Sequence, residues 1–190
     1  PLDELRAADS GRTVGPKAAK LGELRQHYPG RVSQGVAIPF GLFRQEALEQ
    51  PHADGGTVFE WMVKNYRALE AMPDDDPQRE ARTEAFRAEL YATIAATKPS
   101  AAFVDGLRAA LRDAFGSDDP PGLFVRSDTN VEDLAGFTGA GLNLTLPNVV
   151  GTDNLISSIA EVWARPGVSP PMLHYCVGNQ DGVFQAIIAE

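Results

Sequence analysis

The pattern of apolar and polar positions divides the chain into four regions. In the first, Pro16 to about Tyr28 reads as a helix. Pro16 suits a first-turn position, Leu21 and Leu24 start an apolar stripe, and Pro29-Gly30 is the stop. Val36-Ala37-Ile38, closed by Pro39, reads as a short strand, and Leu42 to Gln50 as another short helix. The second region, about Val58 to Phe115, is helical throughout. Val58, Met62, Tyr66 and Leu69 recur at helical spacing, as do Phe86, Leu90 and Ile94, and Phe103, Leu107, Leu111 and Phe115. Breaks fall at Met72 to Pro77 and at Lys98 to Ser100. The stripes are read as core packing between helices. The acidic run Asp74 to Asp76 is read as a solvated loop before a helix N-terminus, not as a metal site.

The third region is different in kind. Pro120-Pro121-Gly122 leads into Leu123-Phe124-Val125, a buried-strand signature, followed by a polar, glycine-bearing stretch from Arg126 to Gly141. Leu142 to Leu146 then alternates in the manner of a strand. In the fourth region Thr152-Asp153 reads as the N-cap of a helix through about Ala164, with Leu155, Ile159 and Trp163 on one face. A proline- and glycine-rich loop follows, and Val183 to Ile188 reads as a strand. The fold expected is α+β: a helical block, about 58–115, packed on a small, mainly antiparallel sheet that carries the Arg126 strand and the Gly141 loop.

Composition narrows the partners. The 190 residues are 43% hydrophobic and 23% charged, ordinary for a globular domain. The net charge is -9, and the basic residues are scattered among acids, so nucleic acid is excluded as a main partner. An acidic protein binds a polyphosphate only through a few placed donors and a metal ion. No run approaches a membrane span. The lone Cys176 forms no internal disulfide and has no base partner in sequence. The N-terminus has neither an initiator methionine nor a signal-peptide core, so the chain reads as a piece of something longer.

Two stretches carry candidate chemistry. Arg126 stands at the end of an apolar strand, where packed neighbours fix it and its guanidinium offers several donors to a phosphate. Gly139-Ala140-Gly141 then lets the backbone approach a ligand closely, with Thr145 just beyond. Strand, glycine-rich turn and strand form either a hairpin that covers phosphates with backbone N–H groups or an ordinary hairpin with turn glycines. No P-loop string is present. The second stretch is Val14-Gly15-Pro16-Lys17-Ala18-Ala19-Lys20-Leu21-Gly22. A lysine in a first helical turn opposes the helix dipole, so Lys17 is either a solvated charge or a donor sharing an anion with the helix N-terminus.

In order along the chain, these stretches resemble the pyruvate phosphate dikinase, phosphoenolpyruvate synthase and glucan water dikinase family. Val14 to Gly22 is similar to the family's V-G-G-K-[GA]-x-x-L-G motif, and Val36 to Gly41 to its V-P-x-G-F segment. Phe124 to Leu134 resembles F-V-R-S-x-x-x-x-E-D-L, and Ala140, Gly141 and Thr145 resemble A-G-x-x-x-T. Arg126 to Asn130 and Gly139 to Leu142 look nearest to the glucan and phosphoglucan water dikinase branch.

The resemblance implies the N-terminal lobe of an ATP-grasp-like domain over residues 1–190, with ATP and Mg2+ as cofactors. The β-phosphoryl group would pass through a histidine on a separate carrier domain to an acceptor such as pyruvate or a glucan. It implies that Lys17 and Arg126 reach the ATP phosphates in a catalytic role. Gly139, Ala140, Gly141, Leu142 and Thr145 would cover the β- and γ-phosphates, and Gln185, in a faint V-Q-x-M-V likeness, would lie near the nucleotide. The metal ligands would belong to a second lobe, and the location would be cytoplasmic.

The departures are Pro16 in place of the motif's second glycine, which removes one backbone N–H, and an atypical segment over 165–179. His27, His52 and His174 sit in no carrier-like context. A rifampin phosphotransferase-like kinase and a non-catalytic regulatory or interaction module that kept the fold are the alternatives.

Overall fold

The computed structural model of the protein describes residues 1–129, 133–134, 137–138 and 144–165. Six α-helices occur among them: α1 (Pro16–His27), α2 (Phe40–Phe43), α3 (Val58–Glu70), α4 (Arg79–Ala95), α5 (Ala101–Phe115) and α6 (Thr152–Ala164). The strands are β1 (Leu123–Arg126), β2 (Asp133–Leu134), β3 (Phe137–Thr138) and β4 (Thr145–Val149). β1 pairs antiparallel with β4, and β2 with β3, so the fold is α+β.

Local chemistry explains the starts of α3 and α5 and the end of α5. At α3, Thr57 Oγ1 accepts from the Glu60 N–H at 3.2 Å while a Glu60 carboxylate oxygen accepts from the Thr57 N–H at 2.8 Å. This reciprocal capping box satisfies two N–H groups that lack an intrahelical partner. Ser100 caps α5, and Gly116, at φ 74°, ends it in a left-handed conformation that suits glycine. α2 runs on into a π-helical turn, Arg44–Leu48, with the Glu49 N–H donating to the Arg44 carbonyl at 2.9 Å. The buried Glu46 in that turn accepts from the Ser100 N–H and Oγ at 2.7 and 2.9 Å, which ties the turn to α5.

The helical block is divided rather than single. Trp61, Met62, Tyr66 and Leu69 of α3 pack with Phe86, Leu90 and Ile94 of α4, Leu48 of the π-turn and Ala164 of α6. Phe103, Leu107 and Leu111 of α5 instead pack with Leu155 and Ile159 of α6 over the inner face of β1 and β4. Only α5 of the 58–115 block therefore joins the sheet side. Trp163 links the two cores, its ring 5.5 Å from that of Phe43 and 5.6 Å from that of Phe103.

Four further expectations are corrected. Val36-Ala37-Ile38 belongs to no strand; Val36 and Ile38 pack on the α5–α6 core and Ala37 on the α1 core, so alternate burial arises without a ladder. The buried face of α1 is Ala18, Ala19 and Gly22, whereas Leu24 is 43% exposed. A Cβ at Gly22 would lie 2.6 Å from the Leu2 carbonyl oxygen, so small residues there let the N-terminal segment lie directly on the helix. The second strand of the ribbon, β4, starts at Thr145 and runs past the expected end at Leu146 to Val149, leaving Leu144 outside it; residues 142 and 143 lie outside the described residues. It carries a bulge at Pro147-Asn148, where Asn148 has φ 54°. The α6 N-cap is Gly151 at φ 84°, a backbone angle costly for threonine, which leaves Thr152 as the first helical residue. The predicted strand Val183 to Ile188 lies outside the described residues.

Charge adds to the packing of Leu2 and Leu5 in holding the N-terminal segment. Asp3 pairs with Arg25 of α1, and the Ala7 N–H donates to a Glu23 carboxylate oxygen at 3.0 Å. The Arg25 hydrogen bond holds the Asp3 carboxyl below its ordinary pKa; the Ala7 N–H, then His27, do the same for Glu23.

Two outcomes are expected. Trp163→Ala should cost about 3 kcal/mol in denaturant unfolding, because one ring supports both cores. Carboxylates with lowered folded pKa values contribute stability that is present above their unfolded values and lost as pH falls through the folded ones. Hydrogen exchange should therefore show the Leu2 N–H, bonded to the Gly35 carbonyl at 2.9 Å, losing protection on acidification before the α3–α4 core does.

Candidate functional site

α1 begins without a cap of its own. Its N-cap is Gly15, which has no side chain to accept a hydrogen bond, and Pro16 occupies the first helical position. The next two N–H groups are met by a residue far along the chain. Asp128 Oδ1 accepts from the Lys17 N–H at 2.8 Å, and Asp128 Oδ2 from the Ala18 N–H at 3.0 Å. One carboxylate thus closes the helix N-terminus, where the dipole favours negative charge.

Gly15 makes this approach possible. A Cβ there would lie 2.5 Å from Asp128 Oδ1 and 2.6 Å from the Asp128 carbonyl carbon. Because one of those atoms belongs to the backbone, no rotamer change relieves the clash. The glycine is needed for close packing; its φ of -74° is open to any residue.

The same contact brings the Lys17 side chain to the backbone that follows Arg126. Lys17 Nζ donates to the Ser127 carbonyl at 3.5 Å, immediately after Arg126. Ser127 is buried at 4% exposure, and its N–H donates to the Leu144 carbonyl at 3.1 Å. Arg126 is directly opposite Thr145 in the β1–β4 register. Directly opposed residues share one face with Cβ atoms about 5 Å apart. Arg126 and Thr145 are both exposed on the face turned away from the α5–α6 core, and Phe124 on the same side of β1 is 72% exposed. The Arg126 guanidinium makes no hydrogen bond or ion pair with another described residue. An exposed guanidinium, an ammonium held beside the same strand and a hydroxyl opposite are groups that suit an anion of several oxygens.

The structure therefore brings together Lys17, Arg126 and Thr145. Gly139, Ala140, Gly141, Leu142 and Gln185 lie outside the described residues, as do His174 and Cys176. His27 bonds Glu23 at 3.0 Å, and the His52 ring stacks on Trp61 at 4.4 Å. Among the described residues no group of three histidine, cysteine, aspartate or glutamate side chains is placed to hold a metal ion, and no helix is long and apolar enough to cross a membrane.

Sequence reading missed Asp128. The available signal was a helix opening Gly-Pro-Lys with no capping side chain, which requires an acceptor from elsewhere.

Fold and geometry together define an α+β domain in which a helix N-terminus carrying Lys17 meets a β-ribbon carrying Arg126. No family model matches the chain. It is 30% identical over 167 residues to a phosphoenolpyruvate synthase of Pseudomonas aeruginosa, covering 86% of this chain and 19% of that one. It is 29% identical over 152 residues to a rifampicin phosphotransferase of a Streptomyces species, covering 80% of this chain and 16% of that one. A rifampicin phosphotransferase of Streptomyces sviceus is likewise 29% identical, over 164 residues, covering 86% of this chain and 17% of that one. The chain spans less than a fifth of the length of these relatives. These matches support the kinship with phosphoenolpyruvate synthase-type proteins that the motifs suggest.

Gly15→Ala is expected to destabilise the protein by about 1–3 kcal/mol, as overpacking does, because the Asp128 backbone must move. Denaturant unfolding measures it. A neutral result would show that the α1–Asp128 contact is looser than this geometry.

Proposed function

We propose that the chain is the phosphate-gripping front lobe of the ATP-binding portion of a dikinase-type phosphotransferase. The observation that carries this reading is convergence. Motif segments more than 100 residues apart meet at one corner, where Asp128 of the Arg126 segment bonds the Lys17 segment across 111 positions. The Val36 to Gly41 segment joins them, since the Phe40 N–H donates to the Thr13 carbonyl at 3.0 Å just before the first motif.

In this reading Arg126 and Lys17 hold the ATP phosphates as charge builds on the transferred group. Thr145 and the backbone of Gly139 to Leu142 cover them, and Gln185 lies toward the nucleotide. Phosphoryl transfer depends mainly on positioning and on fixed positive charge, which these residues supply. Mg2+ would be held by acidic residues of a second lobe. A histidine on a carrier domain would take the β-phosphoryl group in the cytoplasm. The acceptor would be pyruvate, a glucan or a related molecule. The likeness of Arg126 to Asn130 to the glucan water dikinase branch favours a glucan, and the rifampicin phosphotransferase relatives favour an antibiotic.

A second reading has an observation of its own. Asp128 already occupies the donors of the α1 N-terminus, as in a non-catalytic module in which that end has become purely structural.

Titration calorimetry with Mg-ATP separates the two. Charge-assisted hydrogen bonds contribute about 1.5–3 kcal/mol, so Arg126→Ala should weaken binding about ten- to a hundredfold. Unchanged affinity in that variant sinks the assignment. Absence of binding by the unsubstituted intact protein favours the second reading.

A further inference from the structure

We infer that Asp128 is a positioning residue for the phosphate grip, holding Lys17 in register with Arg126; this inference rests on the reading of the site just proposed. A carboxylate beside a polyphosphate site is electrostatically unfavourable unless its charge is taken up locally. Here it is taken up, since both oxygens accept first-turn N–H groups of α1 at 2.8 and 3.0 Å, at the positive end of the helix dipole. The cost of placing the acid there is offset, and what remains is a geometric effect.

That effect is specific. Lys17 is the second residue of α1, so bonding its own N–H fixes the base of its side chain. Asp128 is two residues beyond Arg126 and reaches it through the buried Ser127, whose N–H is bonded to the Leu144 carbonyl beside Thr145. The path from Lys17 to Arg126 and Thr145 therefore runs through a bonded carboxylate, a buried residue and a strand pair. Gly15 has no Cβ at the one place where a Cβ would push Asp128 away. With Asp128 in place, the two cations approach a single anion from a fixed separation. Without it, the Lys17 segment loses its two shortest bonds to the Arg126 segment, and the longer Lys17 Nζ contact of 3.5 Å remains.

Positioning differs from simple stabilisation in what it couples. If Asp128 serves to place Lys17, its loss and the loss of Lys17 remove the same contribution to binding. If it only stabilises the fold, the folded fraction binds normally and the Lys17 contribution survives.

The experiment is Mg-ATP titration calorimetry on the intact protein and on Lys17→Ala, Asp128→Asn and the double variant, with thermal unfolding of each. The expected result is about a tenfold weakening in either single variant and no further weakening in the double one. Asp128→Asn keeps one acceptor but turns an amide NH2 toward the second first-turn N–H; Asp128→Ser, with one acceptor and no such opposition of donors, serves if Asp128→Asn does not fold, and should show the same coupling. The inference is overturned by multiplicative losses in the double variant. It is also overturned if Asp128→Asn lowers the melting temperature with unchanged affinity, or if that variant binds ATP more tightly. If the unsubstituted protein shows no binding, the reading of the site fails, and this inference with it. That outcome is distinct from binding in which the two losses multiply.

Discussion

The Asp128 carboxylate at the start of α1 is the contact on which the arrangement of this corner depends. It answers a local problem, two N–H groups at a helix end that begins Gly-Pro-Lys, with an acceptor more than 100 residues away. A cap drawn from a neighbouring residue would have stabilised α1 alone, by about 1 kcal/mol. Drawn from the segment after β1, it also fixes where the helix lies against the ribbon. The features around it follow from that choice: Gly15 must lack a Cβ, Ser127 is buried, and the Lys17 side chain runs along the same stretch of backbone.

The rest of the molecule supplies a rigid backing. Among the described residues β1 and β4 form a two-stranded ribbon, marginal alone, and their inner face is covered by α5 and α6. The α6 helix then carries that support to the α3–α4 core through Trp163 and Ala164. The outer face of the ribbon, with Phe124, Arg126 and Thr145, stays exposed because no described helix crosses it. Its polar groups are backed by the packing behind them, and among the described residues the Arg126 guanidinium meets no partner in front.

Much of the fold was legible along the chain. The stripes of α3, α4 and α5 predicted buried residues well, because long periodic patterns leave few alternatives to core packing. The breaks at Met72 to Pro77 and Lys98 to Ser100 fell between helices for the same reason. Short apolar runs were less informative. Val36 to Ile38 has strand-like alternation, yet it is sandwiched between two cores, and alternation reports burial on two sides without reporting a ladder partner. α1 misled in the other direction: its buried contacts are alanines and a glycine, which carry little hydrophobic signal but permit close approach.

By itself the sequence determined the α+β class, the helical segments and the order of the motifs that hold Lys17, Arg126 and Thr145, because each rests on short-range periodicity or on residue type. Only the tertiary structure decided that these residues share one corner, that the helical block divides between two cores, and that Asp128 serves as the cap of α1. The physical reason is the same in each case. A hydrogen bond across 111 positions satisfies donors whose need is visible locally, but the choice of acceptor depends on how the whole chain packs.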